Sequence, residues 1–166
     1  MRLFIFFALL SLIFFSCDEN KRQNATPLED VSSKVAPVVQ TGIDTEPKLL
    51  SADSIQIIYY DDPDGDTLRY SRFFSYVNTS ETAILEALLK TFRTPAAGVH
   101  QAKKCRSEGK MYLLHGEAPV KTVYFSTKAE ECSYLYFIKD GLFYYFPLPE
   151  AIEAILKGQK VKAIRA

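Results

Sequence analysis

The chain has 166 residues with 20 basic and 20 acidic side chains, and it contains no tryptophan. This charge balance argues against a nucleic-acid-binding protein, which carries a clear basic excess. The length allows one domain of ordinary size together with shorter accessory segments.

The first sixteen residues are organised like a secretory signal peptide. Arg2 precedes an apolar run over residues 3–15, and the chain becomes polar after Ser16 and Cys17. The run is shorter than the ~20 residues that a membrane-spanning helix needs, and it fits the apolar region of a signal peptide. We therefore predict that residues 1–16 are removed on export.

The residues Phe14-Phe15-Ser16-Cys17 resemble the lipobox of bacterial lipoproteins, in the Phe-rich form of the Bacteroidota. The resemblance implies that Cys17 becomes the lipidated first residue, with palmitate-type chains that attach it to a membrane. It also implies a place in the cell envelope, expected at the outer membrane on its periplasmic or surface side. Asp18 directly follows the cysteine and has two conflicting interpretations. It resembles an inner-membrane retention signal in enterobacteria and a surface-export signal in Bacteroidota. The sequence therefore does not decide which membrane, or which leaflet of it, holds the lipid. The alternative to cleavage is an uncleaved anchor.

Residues 17–51 are predicted to form the lipidated cysteine and a flexible tether. This stretch is polar, contains Pro27, Pro37 and Pro47, and shows no sustained hydrophobic period. The first strongly patterned segment begins shortly after residue 52. We therefore predict one domain over residues 52–166.

The first half of that domain predicts a hairpin followed by a helix. Residues 55–60 and 68–77 are rich in β-branched and aromatic residues and flank an acidic turn. Thr79 or Ser80 is the predicted N-cap of a helix that ends before Pro95 and covers one face of the sheet. Its predicted buried face consists of Ala83, Ile84, Ala87, Leu88 and Phe92.

The second half predicts four strands and a final helix. The predicted strands are residues 110–115, 120–126, 132–139 and 142–146. Pro149 suits the first turn of a helix running to Leu156, with Gly158 at its C-terminal end. The predicted class is α+β, an antiparallel β-meander of about five to six strands packed by two helices, in the order ββα-ββββ-α.

The dipeptide Asp140-Gly141 predicts a type I′ hairpin turn, which fixes the register of the strands on either side. One face of this hairpin then carries Tyr134, Tyr136, Ile138, Phe143 and Tyr145. The other face carries Leu135, Phe137, Tyr144 and Phe146. Because neither face is polar, both are expected to be covered, one of them by a helix. The tyrosine face is either a possible binding surface or an aromatic core whose hydroxyls reach the rim.

Cys105 and Cys132 form an even pair once Cys17 is assigned to lipid. In an exported protein such a pair predicts a disulfide. The closed loop would stabilise the fold by roughly 3–4 kcal/mol. The alternative is two buried thiols.

Asp62, Asp64 and Asp66 alternate along the acidic turn with Gly65 among them. Calcium loops use this spacing so that several oxygens converge on one ion. The match is partial, because position 12 of the loop is Phe73 instead of a glutamate. A solvated turn explains the same residues, so no metal site is predicted and calcium remains a weak candidate.

No catalytic motif is found in the sequence. His100 and His115 lack metal-spaced partners, and there is neither a Gly-x-Ser-x-Gly motif nor a phosphate-binding loop. We predict no enzyme and no cofactor. The expected function is a membrane-tethered envelope lipoprotein that binds a protein partner or assists envelope assembly. The alternatives are an inhibitor or immunity-type lipoprotein that blocks a hydrolase, and a ligand- or calcium-binding module.

Overall fold

The computed structural model describes residues 39–65, 74–128 and 130–166, which contain three helices and ten strands. The predicted α+β class with antiparallel sheets is confirmed. The predicted signal peptide, Cys17, most of the predicted tether and Asp66 lie outside the described residues.

The helices are α1 (Gly42–Thr45), α2 (Thr82–Phe92) and α3 (Glu150–Lys160), and two 3-10 turns cover Pro47–Ser51 and Glu130–Cys132. The strands in chain order are β1 (Gln40–Thr41), β2 (Ser54–Tyr60), β3 (Phe74–Thr79), β4 (Pro95–Ala96), β5 (Gly98–Val99), β6 (Gly109–His115), β7 (Ala118–Thr127), β8 (Ser133–Lys139), β9 (Leu142–Pro147) and β10 (Ile164–Arg165). The long elements therefore follow the predicted order.

The main sheet has eight strands in the order β10-β3-β2-β6-β7-β8-β9-β5, with antiparallel neighbours throughout. Strands β6 to β9 form the predicted meander, and β6 also pairs with β2, which joins the first hairpin to it. The two outermost strands are only two residues long. Short edge strands limit unwanted pairing with other chains.

Helices α2 and α3 pack on the same face of this sheet. The core between these helices and the sheet contains Ile57, Met111, Val123, Leu135 and Phe137 from the strands. From the helices it contains Ile84, Leu85, Leu88, Phe92, Ile152 and Leu156. None of the described helices is long and apolar enough to cross a bilayer.

Several helix details differ from the predictions. The N-cap of α2 is Glu81, whose N–H donates to the Thr79 hydroxyl. Ala83 is exposed, whereas Leu85 is buried, so the buried face of α2 is rotated from the predicted one. Helix α3 continues through Gly158 to Lys160 because the buried Gln159 donates to Glu81 of α2 and holds the last turn.

The segment from residue 39 to residue 51 belongs to the folded part, so the boundary at residue 52 lies too late in the chain. Thr41 and Asp44 form a reciprocal capping box around α1. Leu49 is fully buried in the core, and Glu46 is buried beside Lys121 at 2.9 Å. The described part of the predicted tether is thus pinned to the sheet by an apolar side chain and a buried ion pair.

The hairpin of β8 and β9 has the predicted register. Tyr136 lies opposite Tyr145, and Lys139 lies opposite Leu142. Asp140 and Gly141 both have positive φ, at 50° and 77°. A type I′ turn requires positive φ at both central residues, which explains the Asp-Gly sequence.

Candidate binding face

One face of the sheet is free of helices among the described residues, and we call it the open face. Its members include ten strand side chains that point away from α2 and α3: Gln56, Ile58, Tyr76, Lys110, Tyr112, Tyr124, Tyr136, Ile138, Phe143 and Tyr145. Five of the ten are tyrosines. The alternation of side chains along each strand places them together.

A continuous row of side chains crosses the open face at right angles to the strands. Each residue of this row lies opposite the next one on the neighbouring strand, in the order Tyr76, Ile58, Lys110, Tyr124, Tyr136 and Tyr145. Since neighbouring strands lie ~4.8 Å apart, the row spans about 24 Å. We call this the tyrosine row, and it runs from β3 to β9.

Rings of the tyrosine row pack against one another. Tyr124 and Tyr136 are stacked, with centroids 4.8 Å apart and planes 13° apart. Tyr136 and Tyr145 have centroids 4.9 Å apart. All three side chains are half-buried, so each remains partly accessible. Tyrosines in this state combine apolar contact area with a polar tip.

The loop of residues 100–108 covers one end of the open face. Its position is fixed by the disulfide between Cys105 and Cys132, as predicted, with Cα atoms 5.6 Å apart. The Lys103 N–H donates to the Tyr145 hydroxyl at 2.9 Å. The Lys103 ammonium also lies 5.3 Å from the ring centroids of both Tyr134 and Tyr145.

Only part of the predicted tyrosine surface is accessible. Tyr134 is 2 % exposed, and its hydroxyl donates to the Cys105 carbonyl beneath the loop. It therefore cannot contact a partner in this conformation. Tyr136 and Tyr145 are half-buried and belong to the tyrosine row. For Tyr134 the core interpretation holds, and for the other two a surface role stays a prediction.

The sequence analysis did not identify Tyr76, Tyr112 and Tyr124 as members of this face. They lie on β3, β6 and β7, outside the aromatic hairpin. The alternation of side chains along each strand could have predicted which face of the sheet each of these tyrosines points to. The place of Tyr76 depends on the pairing of β2 with β6, which are distant in the chain. Tyr112 and Tyr124 join Tyr136 through the pairing of β6, β7 and β8.

Burial dominates the electrostatics of the central tyrosine. It raises the pKa of Tyr136 to about 12, against a smaller lowering by the hydroxyl contact with Ser107. Tyr136 is therefore a neutral phenol at physiological pH. Lys110 is the charged member of the open face, and its ammonium lies 4.7 Å from the Tyr112 ring centroid.

The acidic turn does not gather a metal site in the described residues. Asp64 forms an ion pair with Lys128, and the Asp62 carboxylate lies against Gly65. Among the described residues, no group of three or more histidine, cysteine or carboxylate side chains could hold an ion. Asp66 lies outside these residues, so the calcium prediction is not tested at that position.

His115, Asp53 and Ser54 lie together but not in the order of a catalytic triad. His115 Nδ1 is 3.1 Å from Asp53 Oδ2, and the Ser54 hydroxyl donates to Asp53 Oδ1 at 2.9 Å. A triad requires histidine between serine and aspartate, whereas here aspartate is in the middle. The Gly116 N–H is the main reason that the pKa of Asp53 is lowered. The cluster therefore fixes the β6–β7 turn.

The fold and this face together define an α+β protein with a one-sided eight-stranded sheet and an aromatic open face. Comparisons with protein-family models, with curated proteins and with solved structures found no match. The functional argument therefore depends on the chemistry of the described residues.

Proposed function

We propose that this protein is a lipid-anchored, non-catalytic envelope lipoprotein whose open face binds another protein of the envelope. The observation that carries the proposal is the tyrosine row. Protein interfaces are enriched in tyrosine because a half-buried ring can bury more apolar area while its hydroxyl keeps a hydrogen bond. The row places Tyr124, Tyr136 and Tyr145 side by side on three neighbouring strands, with Tyr76 at its β3 end.

The disulfide supports an exported location for this proposal. Disulfides persist in oxidising compartments such as the bacterial periplasm and the cell surface. Cys105 and Cys132 are bonded to each other, which leaves Cys17 as the cysteine available for lipid. Export, lipidation at Cys17 and a place at the outer membrane remain part of the proposal.

The anchor is tested by mass spectrometry of the N-terminal peptide from membranes of cells that express the full chain. The expected result is a mature chain that begins at an acylated Cys17. The variant Cys17→Ser should remain unprocessed. Recovery of an intact leader, or of an unmodified cysteine, would contradict the anchor without bearing on the open face.

The binding face is tested by photo-crosslinking in the native envelope. A photoreactive phenylalanine analogue replaces Tyr124 in the tyrosine row, and in the matched control it replaces Lys157, which is exposed on α3. The expected result is a discrete crosslinked protein from position 124 that position 157 does not give. Equal crosslinking from both positions, or none from position 124, would contradict the proposal.

An inhibitory function would need a rigid loop that projects into an enzyme cleft. The loop of residues 100–108 instead lies on the sheet, with its backbone bonded to Tyr145 and Tyr134. For this reason the open face is preferred as the interaction surface. The calcium-binding alternative is tested by a thermal melt, which should not shift with millimolar Ca²⁺.

A further inference from the structure

The disulfide between Cys105 and Cys132 lines a surface pocket of about 410 Å³ beside the loop of residues 100–108. Both cysteines are half-buried, so neither is enclosed in the core of the fold. The other lining residues are Asp64, Lys104, Arg106 and Lys128. The bond therefore faces a space that is large enough for an attacking thiol.

The charges that line this pocket are mainly positive, with three cations against the single carboxylate of Asp64. Asp64 is paired with Lys128. Outside the lining, Lys103 donates to the carbonyl of the exposed Glu131, and these two add one charge of each sign. In thiol–disulfide exchange a thiolate attacks one sulfur and the other sulfur leaves as a thiolate. Cations beside the bond stabilise both anions.

The loop of residues 100–108 lies on the open face through polar contacts instead of an apolar core. Its residues 100–104 and 106 are exposed, and Ser107 is buried. The loop accepts from Tyr134 at the Cys105 carbonyl and donates to Tyr145 from the Lys103 N–H. Segments with few buried apolar contacts open more easily than the rest of a fold. The disulfide is thus the covalent restraint on a weakly packed loop.

A buried hydroxyl on the same face also favours opening of the loop. Ser126 lies opposite Tyr134 in the pairing of β7 with β8, so both side chains point to the open face. Ser126 is completely buried, and its hydroxyl has no hydrogen-bond partner among the residues that the structure describes. Such a group destabilises the closed arrangement, and solvent would satisfy it once the loop lifts.

We propose that the disulfide between Cys105 and Cys132 is a redox site that a dithiol protein reduces through this pocket, and that reduction frees the loop that covers Tyr134. A thiolate of the dithiol protein attacks one sulfur and forms a mixed disulfide, while the other sulfur leaves as a thiolate. The second thiol of the dithiol protein then breaks the mixed disulfide. Two electrons and two protons pass from the dithiol, which becomes a disulfide, to Cys105 and Cys132, which become thiols.

Reduction would enlarge the aromatic surface of the open face. The Tyr134 ring centroid lies 5.8 Å from that of Tyr136 and 5.3 Å from that of Tyr145. The inference goes beyond the proposed function, because it concerns the state of the bond and not the identity of a partner. Crosslinking at position 124 tests the proposed function separately.

The first test is the rate of reduction of the folded protein. The full chain, purified from membranes in detergent, is treated with reduced thioredoxin or with dithiothreitol, quenched in acid and alkylated. Mass spectrometry of peptides then counts the thiols at Cys105 and Cys132. The variant Lys104→Glu reverses one charge in the pocket, and Lys90→Glu, at an exposed position on α2, is the matched control. Circular dichroism verifies that each protein is folded before and after reduction.

The rate should rise in proportion to the dithiol concentration, because the attack occurs on the folded protein. Lys104→Glu should slow reduction by dithiothreitol about two- to fourfold at low salt, since its thiolate is an anion. Lys90→Glu should leave the rate unchanged. A rate that is limited by global unfolding, and so does not depend on dithiol concentration, would overturn the inference. Equal slowing by both variants, or loss of the folded spectrum on reduction, would overturn it as well.

The second test is hydrogen exchange measured by mass spectrometry in the presence and absence of dithiothreitol. Peptides from residues 100–108 should exchange faster in the reduced protein, because the Lys103 N–H loses its bond to the Tyr145 hydroxyl. Peptides from β2 should exchange at the same rate in both states. Unchanged exchange of the loop in the reduced, folded protein would show that the bond does not control the loop, and the inference would be wrong.

Discussion

The two faces of the sheet differ in chemistry although they alternate along the same strands. On the helix-covered face, Leu135, Phe137 and Phe146 are almost completely buried against α2. On the open face, Tyr136, Phe143 and Tyr145 are half-buried. The covered face is mostly aliphatic and phenylalanine, with Tyr59 buried in its core and Tyr144 packed against it. Half of the ten open-face residues named above are tyrosines. The covered face forms the core of the fold, and the open face is the surface to which we assign the proposed partner.

Truncation of neighbouring residues on β8 tests this comparison most strongly. Phe137→Ala should cost about 3–5 kcal/mol of unfolding free energy, because a fully buried ring leaves a cavity beside Phe92 and Phe146. Tyr136→Ala should cost about 1–2 kcal/mol, because its ring is only half-buried. Urea unfolding followed by circular dichroism measures both values. Equal costs would mean that the open face is as much a core as the covered one.

Loss of the disulfide should lower the stability of the fold and release the loop of residues 100–108 from the end of the open face that it covers. The double variant Cys105→Ser, Cys132→Ser should lose about 3–4 kcal/mol, since the bond closes a loop of 27 residues. It should also expose Tyr134, which the loop buries. Urea unfolding gives the first quantity, and iodination of Tyr134 followed by peptide mapping gives the second. Wild-type protein treated with a reducing agent lacks the same bond, so it should behave like the double variant. An unchanged unfolding free energy would contradict a structural role for the bond.

The buried ion pair tests how the N-terminal segment is attached on the helix-covered side. Glu46 accepts from Lys121 at 2.9 Å and lies 3.5 Å from Lys139. Glu46→Gln should cost about 1–3 kcal/mol at neutral pH, because Lys121 loses a charged partner at a nearly buried position. The exposed Glu86→Gln on α2 is the matched control and should cost little.

The same pair predicts a pH dependence. Burial alone would raise the pKa of Glu46, but the hydrogen bond and charge of Lys121, together with Lys139, outweigh burial and lower it from 4.5. A lowered pKa stabilises the fold above the unfolded value and loses that contribution as the pH falls through the folded value. The stability difference between wild type and Glu46→Gln should therefore shrink in acid below 4.5. A constant difference across this range would contradict the assignment.

The smallest expected effect concerns the Tyr136 hydroxyl. Burial raises the pKa of Tyr136 to about 12 from an ordinary value of 10.0. Its neutral form therefore stabilises the fold below pH 10, and this contribution is lost as the pH rises through the folded pKa. Burial also raises the pKa of Tyr59, so ultraviolet titration should show at least two late-ionising tyrosines. Tyr136→Phe should show one fewer, and the substitution should cost about 1 kcal/mol or less of unfolding free energy. Tyr124→Phe is the control. An unchanged number of late-ionising tyrosines in Tyr136→Phe would contradict its assignment.

Local sequence signals were sufficient for the long elements and for the register of one hairpin. The type I′ turn at Asp140-Gly141 fixed the pairing of β8 with β9, because only positive φ at both residues closes a two-residue hairpin of this type. Alternation then assigned Tyr136 and Phe137 to opposite faces. The even cysteine pair predicted the bond that the structure contains.

Other features depended on contacts between distant parts of the chain. The folding of residues 40–51 had a local signal in the capping box of Thr41 and Asp44, but a single-turn helix is marginal without the core that buries Leu49. The continuation of α3 past Gly158 depends on the contact of Gln159 with Glu81 of α2. Neither contact follows from composition or periodicity.

The sequence by itself determined the class of fold, the order of its long elements, the hairpin register and the cysteine pair. These follow from side-chain periodicity and turn chemistry, which act over a few residues. Only the tertiary structure decided that β6 lies beside β2, which brings Tyr76 into one face with Tyr112, Tyr124 and Tyr136. It also decided that the loop at Cys105 buries Tyr134. The reason is that strand order and loop placement are set by the packing of segments far apart in the chain.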